Sequence, residues 1–280
     1  MKTAPTLWIL RAAFRTVGRI APGVAGRWAE NIFCRPPRNE PRPLEEAFLA
    51  TGTRHTLRSE EQDIAVWLWG DGPVVVLAHG WGSRAGRFSA LAQALVDAGF
   101  RVVLFDAPAH GASMGRLASL PQFSRALRVV GDAMGPVHGL VGHSLGGAAV
   151  SLAMRNGLHA RRAVLLAPPA DVVLFSRAFA KHLRIPPRAH NVMRRNLESR
   201  LQFRWEELHV PTLARGMTAP ALIVHDRDDP DVPYAHGEEI AAAWPGAELL
   251  TTSGLGHRAV LRDPDVIRRT VTFLSHGLAT

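Results

Sequence analysis

Short runs of β-branched and apolar residues recur along this sequence with helix-spaced segments between them, and no other feature restricts the fold so strongly. Val74–Ala78, Val102–Phe105, Val137–Val141, Ala163–Leu166 and Ala221–Val224 carry almost no polar side chain. A strand is apolar at consecutive positions only when both of its faces are covered, as in a parallel sheet with helices on either side. Thr53–Leu57 and Ile64–Trp69 come first and read as an edge hairpin turning around residues 59–63, while Glu248–Thr251 comes last. The stretches between follow the helical period: Phe88, Leu91, Ala92 and Leu95 lie on one face, and Gly99 supplies a stop. The expected class is therefore α/β, with a mostly parallel eight-stranded sheet and helices on both of its faces.

Two regions break this rhythm. Between Leu166 and Ala221 no buried strand is legible, and Pro168, Pro169, Pro186, Pro187 and Pro211 punctuate the interval. Helical patterns around residues 174–183 and 191–203 mark it as a small helical cap inserted at about residues 168–216. Its Phe175, Phe179, Leu183, Phe203 and Trp205 are candidates to line an acyl tunnel, while its arginines read mainly as a solvated helix face. At the other end, residues 1–52 are expected to form an amphipathic helical segment and a proline-rich linker, ahead of a main domain over 53–280. Leu7, Leu10, Phe14 and Val17 recur at helical spacing with Arg11, Arg15 and Arg19 interleaved. That pattern predicts a helix docked on the protein's own body, the alternative being one that lies on a membrane surface. The arginines interrupt the apolar run before it reaches the length of a secretory signal or a membrane span.

Charge and cysteine usage narrow the partners. Lys and Arg total 33 against 24 Asp and Glu, a net charge of +9. The arginines are dispersed and no nucleic-acid-binding module is legible, so no nucleic-acid partner is expected. Cys34 stands alone, which rules out an intramolecular disulfide and points to a reducing, cytoplasmic setting. If the first helix is an anchor, that setting is peripheral to the inner face of a membrane. Oligomeric state is not legible.

The strand Val137–Val141 runs straight into Gly142-His143-Ser144-Leu145-Gly146-Gly147, a G-x-S-x-G pattern at a strand-to-helix turn. A serine there projects its hydroxyl off the sheet, and the flanking glycines leave room for the sharp bend. The plain alternative is a glycine-rich turn whose serine only caps a helix. A serine hydroxyl is nearly inert at neutral pH, so a nucleophile needs a base within hydrogen-bond reach and a carboxylate to orient that base. His257 sits in the loop Gly254-Leu255-Gly256-His257 after the last strand, and Asp226, Asp228, Asp229 and Asp231 crowd the loop after Ala221–Val224. Serine, acid and histidine thus appear in the chain order of nucleophile-elbow hydrolases. A tetrahedral intermediate also needs backbone donors for its oxyanion, and the N–H of Leu145 is one candidate.

Together these segments resemble the α/β-hydrolase superfamily from about residue 53 to the C-terminus. The family's acid loop, D-x-x-V-P, is matched by Asp229–Pro233. This selects Asp229 with Asp228 next, and leaves Asp226 and Asp231 as turn formers or solvated charges. His79-Gly80-Trp81-Gly82 resembles the H-G-x-G oxyanion loop and makes Trp81 N–H the second donor. Residues Asp106 to Ser113 resemble D-x-P-G-H-G-x-S, except that Ala109 stands where the family has glycine. Asp106 is read there as structural, a displaced triad acid being the alternative. The resemblance implies a serine esterase with Ser144, Asp229 and His257 as catalytic triad and Trp81 and Leu145 as oxyanion hole. It implies no metal and no cofactor, and a small or medium carboxylic ester as substrate. Serine at position 144 departs from the haloalkane dehalogenase and epoxide hydrolase branches, which carry aspartate there. Thioester hydrolysis or acyl transfer, and a non-enzymatic ligand receptor on the same fold, are the alternative readings.

Overall fold

A computed structural model of the chain describes residues 4–60 and 62–278. The chain begins with α1 (Ala4–Ile20), α2 (Pro22–Phe33) and α3 (Pro43–Ala50), then the strands β1 (Thr53–Ser59), β2 (Gln62–Trp69) and β3 (Val74–Ala78). Next come α4 (Ser89–Asp97), β4 (Arg101–Phe105), α5 (Leu120–Met134), β5 (Val137–His143), α6 (Leu145–Arg155) and β6 (Ala160–Leu166). Helices α7 (Val172–His182), α8 (Pro187–Leu201) and α9 (Val210–Ala214) precede β7 (Ala221–Asp226), α10 (Ala235–Ala243), β8 (Glu248–Thr252), α11 (Gly256–Ala259) and α12 (Pro264–Ser275). They fold as two compact units: residues up to 35 with 171–209, and residues 36–170 with 210 onward.

The larger unit is built on one eight-stranded sheet of order β1-β2-β4-β3-β5-β6-β7-β8. The pairs β1–β2 and β2–β4 are antiparallel and the rest are parallel. The expected hairpin is present, with Ser59 paired to Gln62; residue 61, in its turn, lies outside the described residues. Val75, Val76, Leu77, Val141, Val164, Leu222 and Val224 have no exposed surface, as strands covered on both faces require. Because the central strands are parallel, the segments leaving β3, β5, β7 and β8 all emerge at one edge of the sheet. That edge carries His79–Gly82, Ser144, Asp229 and His257, residues up to 178 apart in sequence. The helical insertion leaves after Ala170 and returns at Val210, whose N–H donates to the Ala170 carbonyl at 2.9 Å.

The smaller unit joins the N-terminal helices to the insertion, a grouping that differs from a division at residue 52. Small residues make it possible. A Cβ at Gly18 would lie 2.7 Å from Cδ of Pro186, and one at Gly26 would lie 2.5 Å from Cγ1 of Val192, so α1 and α2 approach α8 nearly backbone to side chain. Phe14, Ala25 and Ala29 are fully buried, and the Arg200 guanidinium meets Glu30 at 2.9 Å. Residues 36–52 fold with the sheet unit instead, and α3 begins at Pro43, where the missing N–H of proline at a first helical position costs nothing.

Two of the proposed tunnel residues pack within this unit, Trp205 buried and Phe179 half-buried. Trp205 is 3% exposed, donates its indole N–H to the Arg194 carbonyl and lies under the Arg194 guanidinium; Phe179 packs on Phe33 with ring centroids 5.1 Å apart. Burial of large apolar rings holds the small unit together, and that requirement claims them. Among the described residues no helix is long and apolar enough to cross a membrane.

Candidate active site

Ser144 stands at the tip of the turn between β5 and α6 with φ 53° and ψ −124°, a conformation rarely open to a residue with a side chain. Such strain costs about 1–3 kcal/mol and persists only where the surroundings impose it. They do so here. The Ser144 N–H donates to the Leu166 carbonyl at 2.9 Å, and its own carbonyl accepts from Gly147 at 2.8 Å. A Cβ at Gly146 would lie 2.0 Å from the Ala78 carbonyl oxygen, and one at Gly142 would lie 2.5 Å from the Gly146 carbonyl oxygen. Both glycines are therefore obligatory for the bend. Ser144 and Leu145 are partly exposed while their neighbours on both sides are buried.

His257, at the start of α11, is 9% exposed and donates from Nδ1 to Oδ2 of Asp229 at 2.7 Å. The other Asp229 oxygen accepts the N–H groups of Asp231 and Val232, both at 2.8 Å. A second imidazole approaches the same carboxylate: His225 Nε2 donates to the Val232 carbonyl at 2.9 Å and lies 3.5 Å from Oδ2 of Asp229. Burial pushes the Asp229 carboxyl up, but donors from His225, His257 and Val232 outweigh it and hold the group well below the ordinary carboxylate range. Asp229 is therefore a fixed anion, and His257 is locked with its proton on Nδ1 and Nε2 free to act as a base.

The histidine loop is joined to the serine turn through His143. Its Nε2 donates to the His257 carbonyl at 2.8 Å, and the two rings lie 4.8 Å apart. Burial, then the neighbouring His257, lowers the His143 pKa to about 3, so it stays neutral. Sequence reasoning assigned this residue no part. Its only signal was a histidine at a variable position of the pentapeptide.

Asp226, expected as a turn former or solvated charge, does form a turn by accepting the Asp228 N–H at 2.9 Å, but it is completely buried rather than solvated and also accepts from Thr252 Oγ1 at 2.7 Å and Leu255 N–H at 3.1 Å. Burial raises its carboxyl, but the Thr252 hydroxyl and the N–H groups of Gly256, Leu255 and Asp228 bring it net below the usual value. It grips the backbone just ahead of His257, whereas Asp229 grips the His257 side chain. Asp228 and Asp231 are exposed; Asp228 accepts from the Gly254 N–H and Asp231 lies 3.8 Å from Arg258.

The oxyanion-loop candidate passes beside the serine, since a Cβ at Gly80 would lie 3.0 Å from Ser144 Cβ. Two histidines brace this loop. His79 donates from Nδ1 to the Gly80 carbonyl and accepts the Ala107 N–H on Nε2, at 2.7 and 3.0 Å. His110 donates to the Pro108 carbonyl and accepts the Gly82 N–H, at 2.8 and 3.0 Å. Burial lowers both pKa values, to about 4 for His79 and about 3 for His110. Asp106 accepts from Ala85 and Ala112 N–H groups, each at 2.7 Å, so its carboxylate belongs to the loop scaffold. Ala109 keeps the turn expected of glycine by adopting φ 63° despite its side chain. Trp81 itself is exposed, and its ring meets His110 edge to face with centroids 5.3 Å apart.

The sequence profile of the alpha/beta hydrolase family matches residues 75–270. The chain belongs to that family. The α/β hydrolase is 27% identical to the 2-hydroxy-6-oxo-6-phenylhexa-2,4-dienoate hydrolase of Burkholderia cepacia, over 74% of this chain and 90% of that one. It is 32% identical over 99 residues to the pimeloyl-[acyl-carrier protein] methyl ester esterase of Nitrosomonas europaea, covering 35% of this chain and 38% of the relative. In structure it resembles an esterase of Pyrococcus furiosus with a TM-score of 0.67 at 18% identity, over 86% of this chain and 98% of that one.

A serine–histidine contact elsewhere in this hydrolase is of another kind. In the smaller unit, Ser176 Oγ lies 2.8 Å from His190 Nε2, joining α7 to α8. Ser176 is buried within a regular helix, and burial followed by Arg194 and Arg177 lowers the His190 pKa. A carboxylate partner would do the opposite, so the pair is an interhelix tie.

Proposed function

We propose that this hydrolase cleaves a carboxylic ester with a small or medium acyl group through an acyl-enzyme on Ser144. The observation that carries the reading is the 2.7 Å bond from His257 Nδ1 to the buried Asp229 carboxylate, in a loop tied to the residue next to Ser144. In this reading Ser144 Oγ attacks the acyl carbon as its proton passes to His257 Nε2. The oxyanion is met by the N–H groups of Leu145 and Trp81, and the alcohol leaves with the proton held by His257. Water, deprotonated by the same nitrogen, then attacks the acyl-serine and restores the enzyme. We place this activity in a reducing cytoplasm on the ground that Cys34 is the sequence's one cysteine.

Labelling with a fluorophosphonate and turnover of aryl esters test the reading. Both are expected in the native chain and absent from Ser144→Ala. An unlabelled native serine would favour a ligand receptor. The relative from Burkholderia supports a second reading, hydrolysis of a 2-hydroxy-6-oxo-dienoate on the same triad. A panel pairing such dienoates, acyl thioesters and matched oxygen esters separates these substrates by kcat/KM.

A further inference from the structure

Helix α1 has two unlike faces, and only one is used within its own unit. Leu7, Phe14 and Gly18, at intervals of seven and four residues, form the inner row: Phe14 is fully buried and Gly18 meets Pro186. Trp8, Arg15 and Arg19 repeat those intervals one residue later, and Ile9, Thr16 and Ile20 repeat them again, so the two rows run side by side along the outer face. Trp8 is 72% exposed, Ile9 61% and Ile20 81%, and Arg15, Thr16 and Arg19 are exposed with them. Single exposed apolar side chains are ordinary, but three large ones on one helix face mark an interaction surface.

Charge selects the partner. Residues 1–35 contain one acid, Glu30, and it is already paired with Arg200. Arg15 and Arg19 are exposed on the same face as the apolar side chains, and on α2 Arg27 is exposed and Trp28 is 43% exposed. We propose that the outer face of α1 docks on an anionic lipid surface. Indole and isoleucine side chains enter the headgroup boundary there, while arginines extend along it to the lipid phosphates. A second copy using the same face would set arginine rows against one another. The helix lies on the bilayer and does not cross it.

The test is co-sedimentation of the full chain with vesicles of phosphatidylglycerol and phosphatidylcholine, or of phosphatidylcholine alone. Binding is expected on the acidic vesicles and is weakened in about 0.5 M salt. Trp8→Ser/Ile9→Ser/Ile20→Ser and Arg15→Glu/Arg19→Glu are each expected to lower partitioning by at least about tenfold, with thermal unfolding and ester turnover unchanged. A native chain that stays in the supernatant with acidic vesicles would overturn the proposal. So would undiminished binding by both variants. A native dimer in ultracentrifugation that the triple variant dissolves would instead assign the face to a second copy.

Discussion

The backbone carbonyl of His257 accepts the Nε2–H of His143 at 2.8 Å, so the residue preceding Ser144 holds the loop that carries the histidine. Removing that imidazole leaves a buried carbonyl unpaired, at about 1–3 kcal/mol, and lets His257 drift. His143→Ala is therefore expected to lower kcat by about ten- to hundredfold with KM little changed. Steady-state kinetics beside thermal unfolding check this, and a native kcat would show that the contact does not position the base.

Ser144 is held at φ 53°, a conformation that costs stability. Ser144→Gly relieves the strain while removing the hydroxyl, so it is expected to abolish ester turnover and raise unfolding stability by about 1 kcal/mol. Urea unfolding measures the gain; a destabilised variant would mean that the turn is not strained.

Asp229 and Asp226 hold the side chain and the backbone of the same loop, and their variants should part company. Asp229→Asn is expected to lower kcat by about four orders of magnitude with modest loss of stability, because the amide favours the wrong imidazole tautomer. Asp226→Ala strands the donors of Thr252, Leu255 and Asp228 and is expected to destabilise the fold by roughly 3–5 kcal/mol. Melting curves and kinetics on both proteins separate the two roles.

Acid should weaken the fold through three buried histidines. His79, His110 and His143 have folded pKa values of about 4, 3 and 3, below the ordinary 6.5, so on acidification the unfolded chain binds protons first. Their stabilisation is complete above about pH 6.5 and is lost as pH falls towards 4. At pH 5 each would forfeit about 2 kcal/mol, from 1.5 pH units at about 1.36 kcal/mol each. Unfolding midpoints from pH 8 to 5 should fall steadily, and a flat profile would contradict the buried neutral state of these rings.

The strands were legible because parallel strands must be apolar throughout, and Val74–Ala78 and Ala221–Val224 announce that condition locally. The serine turn was legible for the same reason, since Gly142 and Gly146 answer a steric demand of their own immediate bend. Asp226 was not: four aspartates within six positions look alike in a sequence, and only the return of β8 and its following loop beside β7 distinguishes Asp226 and Asp229, which are buried, from Asp228 and Asp231, left in solvent. His143 and His225 are single histidines among 13, and their use depends on backbone carbonyls brought from elsewhere. The union of residues 1–35 with the insertion was hidden too, because Gly18 and Gly26 acquire meaning only against Pro186 and Val192.

Local chemistry alone decided the class of sheet, the place of the sharp turn and the order of serine, acid and histidine, since each depends on covalent geometry and on which side chains tolerate burial. Tertiary packing alone decided which carboxylate is buried, which histidines brace the loops and what the first helix covers. Those outcomes depend on desolvation and hydrogen bonds between segments from 26 to 170 residues apart, and no local pattern encodes which segments will meet.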